Sequence, residues 1–310
     1  MADYCVWNLC NSNCIMCTNP QGFRNREDAK DYSADKVLKR ILSERDKLIK
    51  SGTDINLTGG EPTIHPEFIY LLENLRKEFP NNTIAFASNG RRLAYGKFTR
   101  KLLKINNLRL HVVIHSAESK THNAITRTPN SYEQTVKGLE NLFKYKNGTH
   151  MVELRTVLLQ QNYEKIDELY EMLYKKFPSA YRVSTIFPEY EGRAETNFEQ
   201  VKITFPEVRP HIEDSLEKWG KKFKNFYLYH FPLCVIESDF WEHVIRSLPP
   251  DDHETFFMKK CENCFYKDSC LGVYKDYVKH FGKDHFKPIE KKIAGIEKNR
   301  EDYHRPIIKN

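Results

Sequence analysis

Cys10, Cys14 and Cys17 stand in a C-x3-C-x2-C triplet, and the string Gly59-Gly60-Glu61-Pro62 follows further along the chain. Thiolates are soft ligands, and a cuboidal [4Fe–4S] cluster takes one per iron. A triplet leaves one iron open to hold and activate a small molecule. Zinc prefers four ligands; no fourth Cys or His lies close by, and His65 is the nearest histidine beyond the loop. Adjacent glycines after a strand let backbone approach a ligand closely. A carboxylate beside them can accept from a ligand ammonium.

A second set of cysteines lies near the other end. Cys261 and Cys264 are followed by Cys270 in a C-x2-C-x5-C string, with Cys234 upstream after Phe231-Pro232-Leu233. Four thiolates suit a fully ligated [4Fe–4S] centre or an all-thiolate structural zinc site, and spacing alone does not separate them. Cys5, the last of the eight cysteines, sits in an apolar stretch and reads as a small buried residue. A secreted disulfide scaffold would be shorter and richer in cysteine.

The 310 residues suffice for one large domain, or a large and a small one, and 40% hydrophobic content supplies a core. The longest apolar runs, such as Val112–Ile114 and Val157–Leu159, are far too short to span a bilayer. No basic-then-apolar segment opens the chain, so a cytoplasmic location is expected and no membrane partner. The N-x-[ST] matches at Asn56, Asn81 and Asn147 then have no compartment in which to matter. Net charge is +7, from 49 Lys+Arg against 42 Asp+Glu, and is spread along the chain. It reads as a solvated surface with room for an anionic substrate; nucleic acid is not expected. Phe223, Phe226, Tyr227 and Tyr229 interleave as in a half-buried strand rather than a base-stacking platform.

The elements that must position these residues alternate. Strands are expected at 4–9, 54–58, 83–88, 108–115, 152–159 and 182–186. Helices are expected at 34–50, 66–77, 97–104, 132–145 and 163–176, the first from Val37, Leu38, Ile41, Leu42 and Leu48 on one face. Such alternation implies parallel strands with crossover helices. The cysteine triplet and the Gly-Gly turn each follow a strand, and ligands in parallel α/β folds sit beyond the strands' carboxyl ends. After residue 190 the rhythm breaks. A helix at 207–219 and a short strand at 226–229 precede the cysteine-built remainder. The charged tail from Lys287 is expected as a surface helix or partly disordered.

Strand, C-x3-C-x2-C loop, helix, strand, Gly-Gly-Glu-Pro resembles the radical S-adenosylmethionine (radical SAM) superfamily over residues 4–190. The resemblance implies a partial (β/α)6 barrel at 1–195 whose top holds a [4Fe–4S] cluster on Cys10, Cys14 and Cys17. It implies that SAM chelates the fourth iron and that the Gly59–Glu61 stretch, with Pro62, receives its amino group. Further SAM contacts are implied at later strand ends: Ser88 and Asn89, Ser116, Arg155 against the methionine carboxylate, and Ile186. Met16 precedes the third cysteine, where the family often has an aromatic residue.

The C-x2-C-x5-C string resembles the SPASM and twitch auxiliary-cluster domains and implies such a domain at 196–310. Its ligands would be Cys234, Cys261, Cys264 and Cys270, holding a second [4Fe–4S] cluster for electron transfer or substrate-pocket architecture. A SPASM domain normally carries another cysteine a few residues on. Tyr274 stands there, and no cysteine follows Cys270, which favours a single auxiliary cluster.

The implied activity is reductive SAM cleavage to a 5′-deoxyadenosyl radical that abstracts hydrogen from a substrate, fed by a one-electron reductant of flavodoxin or ferredoxin type. The substrate is a peptide under maturation or a small anionic metabolite, nucleotide or sugar. With the barrel beginning near residue 4, a peptide leader would need a separate binder. Tyr190, Glu189 and His230 are candidates for the acid, base or hydrogen donor. The alternative is a zinc-stabilised binding protein with a nucleic-acid or protein partner and no radical chemistry.

Overall fold

The computed structural model describes residues 2–20, 22–245 and 254–296. Seven parallel strands follow one another in sequence order: β1 Ala2–Trp7, β2 Ile55–Gly59, β3 Ile84–Ser88, β4 Leu108–Val113, β5 Met151–Val157, β6 Arg182–Ile186 and β7 Phe226–Tyr229. This is the expected parallel α/β fold with one strand more than six. The short strand expected at 226–229 is β7, paired in parallel with β6 from Val183↔Phe226 to Ile186↔Tyr229.

Residues divide into two compact units. The first holds the chain up to Ile114, with Glu118–Arg155 and Ser179–Tyr181. The second holds His115–Ala117, Thr156–Pro178 and the described residues from Arg182 onward.

In the first unit, β1 to β5 alternate their side chains. Val6, Leu57, Ile84, Phe86, Leu110, Val112 and Leu154 are fully or almost fully buried, on the register that pairs Leu57 with Phe86 and Phe86 with Leu110. Helices supply the matching stripes. In α1 (Ala34–Leu42) Ala34, Val37 and Ile41 are buried; in α3 (Phe68–Glu78) Phe68, Leu71, Leu72 and Leu75 are buried, at i, i+3, i+4 and i+7. The helix expected across 34–50 is two, because the chain breaks after Leu42 and resumes as α2 (Arg45–Ser51). Ser43 turns its hydroxyl onto the Arg40 carbonyl, a local bond that competes with helix continuation. α4 (Gly96–Leu102) follows β3, and α5 (Ser119–Thr126) and α6 (Ser131–Tyr145) precede β5.

α6 lies against the turn after β3 with no room for a side chain between them: a Cβ on Gly138 would fall 2.2 Å from the Gly90 carbonyl oxygen. Gly90 itself has φ +75°. Asn141 Nδ2 donates to the carbonyls of Leu93 (2.8 Å) and Ala94 (2.9 Å), fixing the short helical turn Arg91–Ala94.

The second unit carries α7 (Ile166–Lys176), the short helices α8 (Arg193–Thr196) and α9 (Phe198–Val201), and α10 (Phe205–Trp219) with a Thr204/Glu207 capping box. A two-stranded antiparallel ribbon, β8 (Thr255–Phe256) and β9 (Val273–Tyr274), leads into α11 (Lys275–Phe281). An aromatic core of Phe187, Phe205, Phe231, Tyr277 and Phe286 fills it. Tyr227 and Tyr229 face Arg182, through a cation–π contact at 4.8 Å and a 3.0 Å hydrogen bond, so they belong to a half-buried strand as expected. From Lys287 to Ile296 the tail forms turns and no helix; beyond Ile296 it lies outside the described residues. Among the described residues no helix is long and apolar enough to cross a membrane.

Candidate functional site

β1 ends at Trp7, and the cysteine loop departs from its carboxyl end. The Gly-Gly turn at the end of β2 lies flat against that departure. Gly60 N–H donates to the Trp7 carbonyl (2.7 Å) and Glu61 N–H to the Leu9 carbonyl (2.8 Å). A Cβ at Gly59 would sit 2.2 Å from the Trp7 oxygen, and one at Gly60 2.2 Å from the Leu9 oxygen. The two glycines are therefore required by the close approach of two backbones, not only by room for a ligand. Gly59 also has φ +127°, which side chains rarely tolerate. On its far side the loop is tied to the end of α5, where Asn13 N–H donates to Thr126 O and Ile15 N–H to Ile125 O, both at 2.9 Å.

Glu61 is buried at 1% exposure. Its Oε1 accepts from Thr63 N–H (3.1 Å), Thr63 Oγ1 (2.5 Å) and Ser88 Oγ (2.8 Å), and its Oε2 from Asn89 N–H (2.6 Å). Burial pushes its pKa up, against the pull of those hydrogen bonds. One carboxylate thus braces the ends of β2 and β3. Pro62 opens the short turn Pro62–Ile64 that Glu61 caps. Asn89 is placed by that brace and by Thr135 Oγ1, which donates to its carbonyl at 2.8 Å. Its amide reaches back to Asn11 Oδ1 (2.7 Å) and lies 3.9 Å from Cys10 Sγ.

The three thiols are electrostatic neighbours. Burial pushes Cys14 up to about 12, with Cys10 and Cys17 adding to the rise. Cys10 is raised by burial and then by the Glu61 charge. Among the described residues no three metal-binding side chains lie close enough together to form a single-ion chelate; the first set is three thiols on one loop that interact electrostatically. Ser12 N–H donates to Cys10 Sγ at 3.4 Å. The donor set, three soft thiols with backbone and amide N–H groups aimed at sulfur, fits a cluster with one open iron.

That geometry joins a sequence match: residues 4–173 match the radical SAM superfamily. The chain belongs to the radical SAM superfamily. Its members use a [4Fe–4S] cluster and SAM, and the zinc-stabilised binding-protein reading is left without support. The chain is 26% identical over 174 residues to GTP 3',8-cyclase of Haemophilus influenzae (strain PittEE), covering 56% of this chain and 49% of that protein. It is 25% identical over 190 residues to mycofactocin maturase MftC of Mycobacterium tuberculosis (strain CDC 1551 / Oshkosh), covering 60% and 45%. The chain thus spans about half the length of these curated relatives. In fold it is similar to Streptococcus suis SuiB bound to precursor peptide SuiA, with a TM-score of 0.58 at 17% identity over 73% of this chain and 48% of that one.

Of the expected contacts, Gly59, Gly60, Glu61, Pro62, Ser88 and Asn89 gather with the cysteine loop in the first unit. Arg155, in β5, is engaged by Glu153: its Nε lies 2.7 Å from Glu153 Oε1, while His111 Nε2 lies 3.8 Å from Oε2. Ser116 is buried in the second unit, and Ile186 closes β6 there, its carbonyl accepting from Leu158 N–H at 2.9 Å.

The second unit gathers four of the other five cysteines; Cys5 lies in the first. Cys234, Cys261, Cys264 and Cys270 line one cavity with Leu233, Phe257, Tyr266 and Phe286. Burial pushes Cys234 up to about 12, and Cys270 adds to the rise. Cys270 and Cys261 are raised by burial first as well. Four thiols around one apolar cavity fit a fully ligated cluster.

Of the three acid–base candidates, Tyr190 is a core residue. Its hydroxyl donates to Ile203 O (2.8 Å) and accepts from Ile203 N–H (3.1 Å), and burial raises its pKa far above the usual phenol range. Glu189 and His230 follow β6 and β7 and pair at 3.3 Å. His230 has φ +68°, and its ring packs 4.9 Å from Tyr274.

Arg24 was not singled out from sequence. Its Nη2 lies 3.9 Å from Cys17 Sγ and its Nη1 donates to the Ser12 carbonyl. No periodicity marks it; only the return of the loop does.

Proposed function

We propose that the chain reductively cleaves SAM and uses the resulting radical to oxidise or rearrange a peptide, with the C-terminal cysteines holding an auxiliary [4Fe–4S] cluster that accepts the substrate's electron. The observation that carries this reading is the cysteine triad held against a Gly-Gly turn whose carboxylate braces two strand ends. The peptide class is supported by the resemblance of the C-x2-C-x5-C string to SPASM and twitch domains, which often accompany peptide-modifying enzymes, and a relative named as a maturase is compatible with it. A nucleotide or other small anion is the second reading, supported by the GTP 3',8-cyclase relatives and the net charge of +7.

Bound together, the cluster and SAM supply one-electron cleavage to methionine and a 5′-deoxyadenosyl radical. The residues' work is placement. Cys10, Cys14 and Cys17 hold three irons. The Gly59–Glu61 stretch receives the SAM ammonium: Glu61 Oε2 takes one protein donor and keeps a lone pair for another. Ser88, Asn89, Ser116, Arg155 and Ile186 are assigned to the remaining SAM contacts, Arg155 from a guanidinium pre-oriented by Glu153. Cys234, Cys261, Cys264 and Cys270 ligate the auxiliary cluster, within a C-terminal domain at 196–310 that follows a core at 1–195. A flavodoxin- or ferredoxin-type carrier supplies electrons in the cytoplasm.

The test is anaerobic purification with iron, sulfide and zinc measured per chain, and 5′-deoxyadenosine counted after adding SAM and dithionite. About eight irons and SAM-derived 5′-deoxyadenosine are expected. Zinc alone after strict anaerobic reconstitution would sink the proposal.

A further inference from the structure

The segment after the triad turns back over it and is pinned at both ends. Asn19 Nδ2 donates to the Gly59 carbonyl at 3.0 Å, and Asn8 Nδ2 donates to the Asn25 carbonyl at 2.7 Å. Between these pins lies Arg24, bonded through Nη1 to Ser12 O and reaching Cys17 Sγ with Nη2. Its Nε is buried with no hydrogen-bond partner. A buried donor without a partner is costly, so this guanidinium is not placed for its protein contacts alone. Among the largest charged contributions acting on Cys10 and Cys14, Arg24 is the cation, beside Glu61 and the other thiols.

We propose that Arg24 is the counter-ion of the cysteine triad and sets the reduction potential of the cluster it binds, a positioning and tuning role that rests on the radical SAM reading. The physics is direct. Reduction adds one negative charge to a cluster already bound by three thiolates. A fixed guanidinium beside Cys17 stabilises the reduced form more than the oxidised form. Hydrogen bonds to cluster sulfurs and local charge are established levers on iron–sulfur potentials. Arg suits the place better than Lys because its planar fork serves the Ser12 carbonyl and the Cys17 sulfur at once.

The experiment is a potentiometric EPR titration of reconstituted wild type, R24K and R24Q. The first cluster is identified by the signal that changes when SAM is added. Iron per chain and the unfolding midpoint are measured in parallel. R24Q is expected to lower the reduced fraction at a set potential about tenfold, equivalent to about 59 mV for a one-electron couple. R24K is expected to fall between R24Q and wild type. R24Q that keeps the wild-type unfolding midpoint but fails to load the first cluster also supports the counter-ion. Wild-type iron and unchanged potentials in both variants overturn the proposal while leaving the enzyme reading intact. A fold that collapses in R24Q and R24K alike overturns it in favour of a structural arginine. Wild type that shows no SAM-sensitive iron–sulfur signal overturns both readings together.

Discussion

The two cysteine sets are built in opposite ways. The N-terminal triad lies in a loop surrounded by polar groups: Asn89, Ser12 and Arg24 approach its sulfurs, and a buried carboxylate sits behind it. The C-terminal four line an apolar cavity among Leu233, Phe257, Tyr266 and Phe286. A site that must hold a charged, exchangeable ligand needs donors and an open position. Under the proposed reading, a site that only passes an electron needs four ligands and an apolar surround, with no open position. Cysteine count and lining differ in the direction the proposed roles require.

The largest break in this comparison is replacement of Cys10, Cys14 and Cys17 by Ala. Iron is expected to fall from about eight to about four per chain, and 5′-deoxyadenosine formation to vanish, as read by colorimetric iron analysis and chromatography. Replacing Cys264 by Ala is the mirror experiment. Iron falls by a similar amount, while dithionite-driven SAM cleavage persists. Persistence of both clusters' iron would refute the four-thiol assignment.

Glu61→Ala comes next. It strands the donors of Thr63, Ser88 and Asn89 and is expected to cost about 3 kcal/mol in urea unfolding of the metal-free protein. Glu61→Gln should cost less, since its amide oxygen still accepts.

A smaller, pH-dependent effect sharpens the contrast. His122 lies in α5, whose last carbonyls hold the cysteine loop. Burial lowers its pKa from 6.5 to about 4. A histidine whose folded pKa lies below its unfolded value binds protons more readily when unfolded. Its cost is therefore absent above the unfolded pKa and grows as pH falls from 6.5 toward 4. Between pH 7 and 4.5 this is expected to remove roughly 1–3 kcal/mol. His122→Phe should flatten the dependence, measured by urea midpoints across pH, and should do so without changing iron bound at the C-terminal set.

Much of the fold was readable because its strands are short apolar runs between turn signals; β6 falls on 182–186 as expected. α5 was missed for a physical reason. Ser119–Thr126 is polar, and its closure depends on Asn123 Oδ1 accepting from Ser131 Oγ (2.7 Å) and Tyr132 N–H (2.8 Å), bonds no periodicity announces. β9 and α11 were missed because a two-residue strand and a seven-residue helix carry too little pattern. In the site, residue types and spacing singled out the two cysteine sets as candidate ligands, since soft donors at fixed intervals carry their chemistry with them. The supporting residues were hidden. Arg24 acts through a loop that folds back, and the carboxylate of Glu61, read as a ligand acceptor, spends most of its capacity on the protein.

The contact between the Gly-Gly turn and the cysteine loop has a signature in a saturation mutagenesis screen. At Gly60 the obstruction begins at the first side-chain atom and meets a peptide oxygen at 2.2 Å. Every replacement should then score alike, alanine as poorly as tryptophan. At neighbouring Glu61 the scores should instead be graded by hydrogen-bonding capacity, with glutamine ahead of leucine. A tolerance map that is flat at one position and ordered by chemistry at the next would separate a geometric constraint from a chemical one at single-residue resolution.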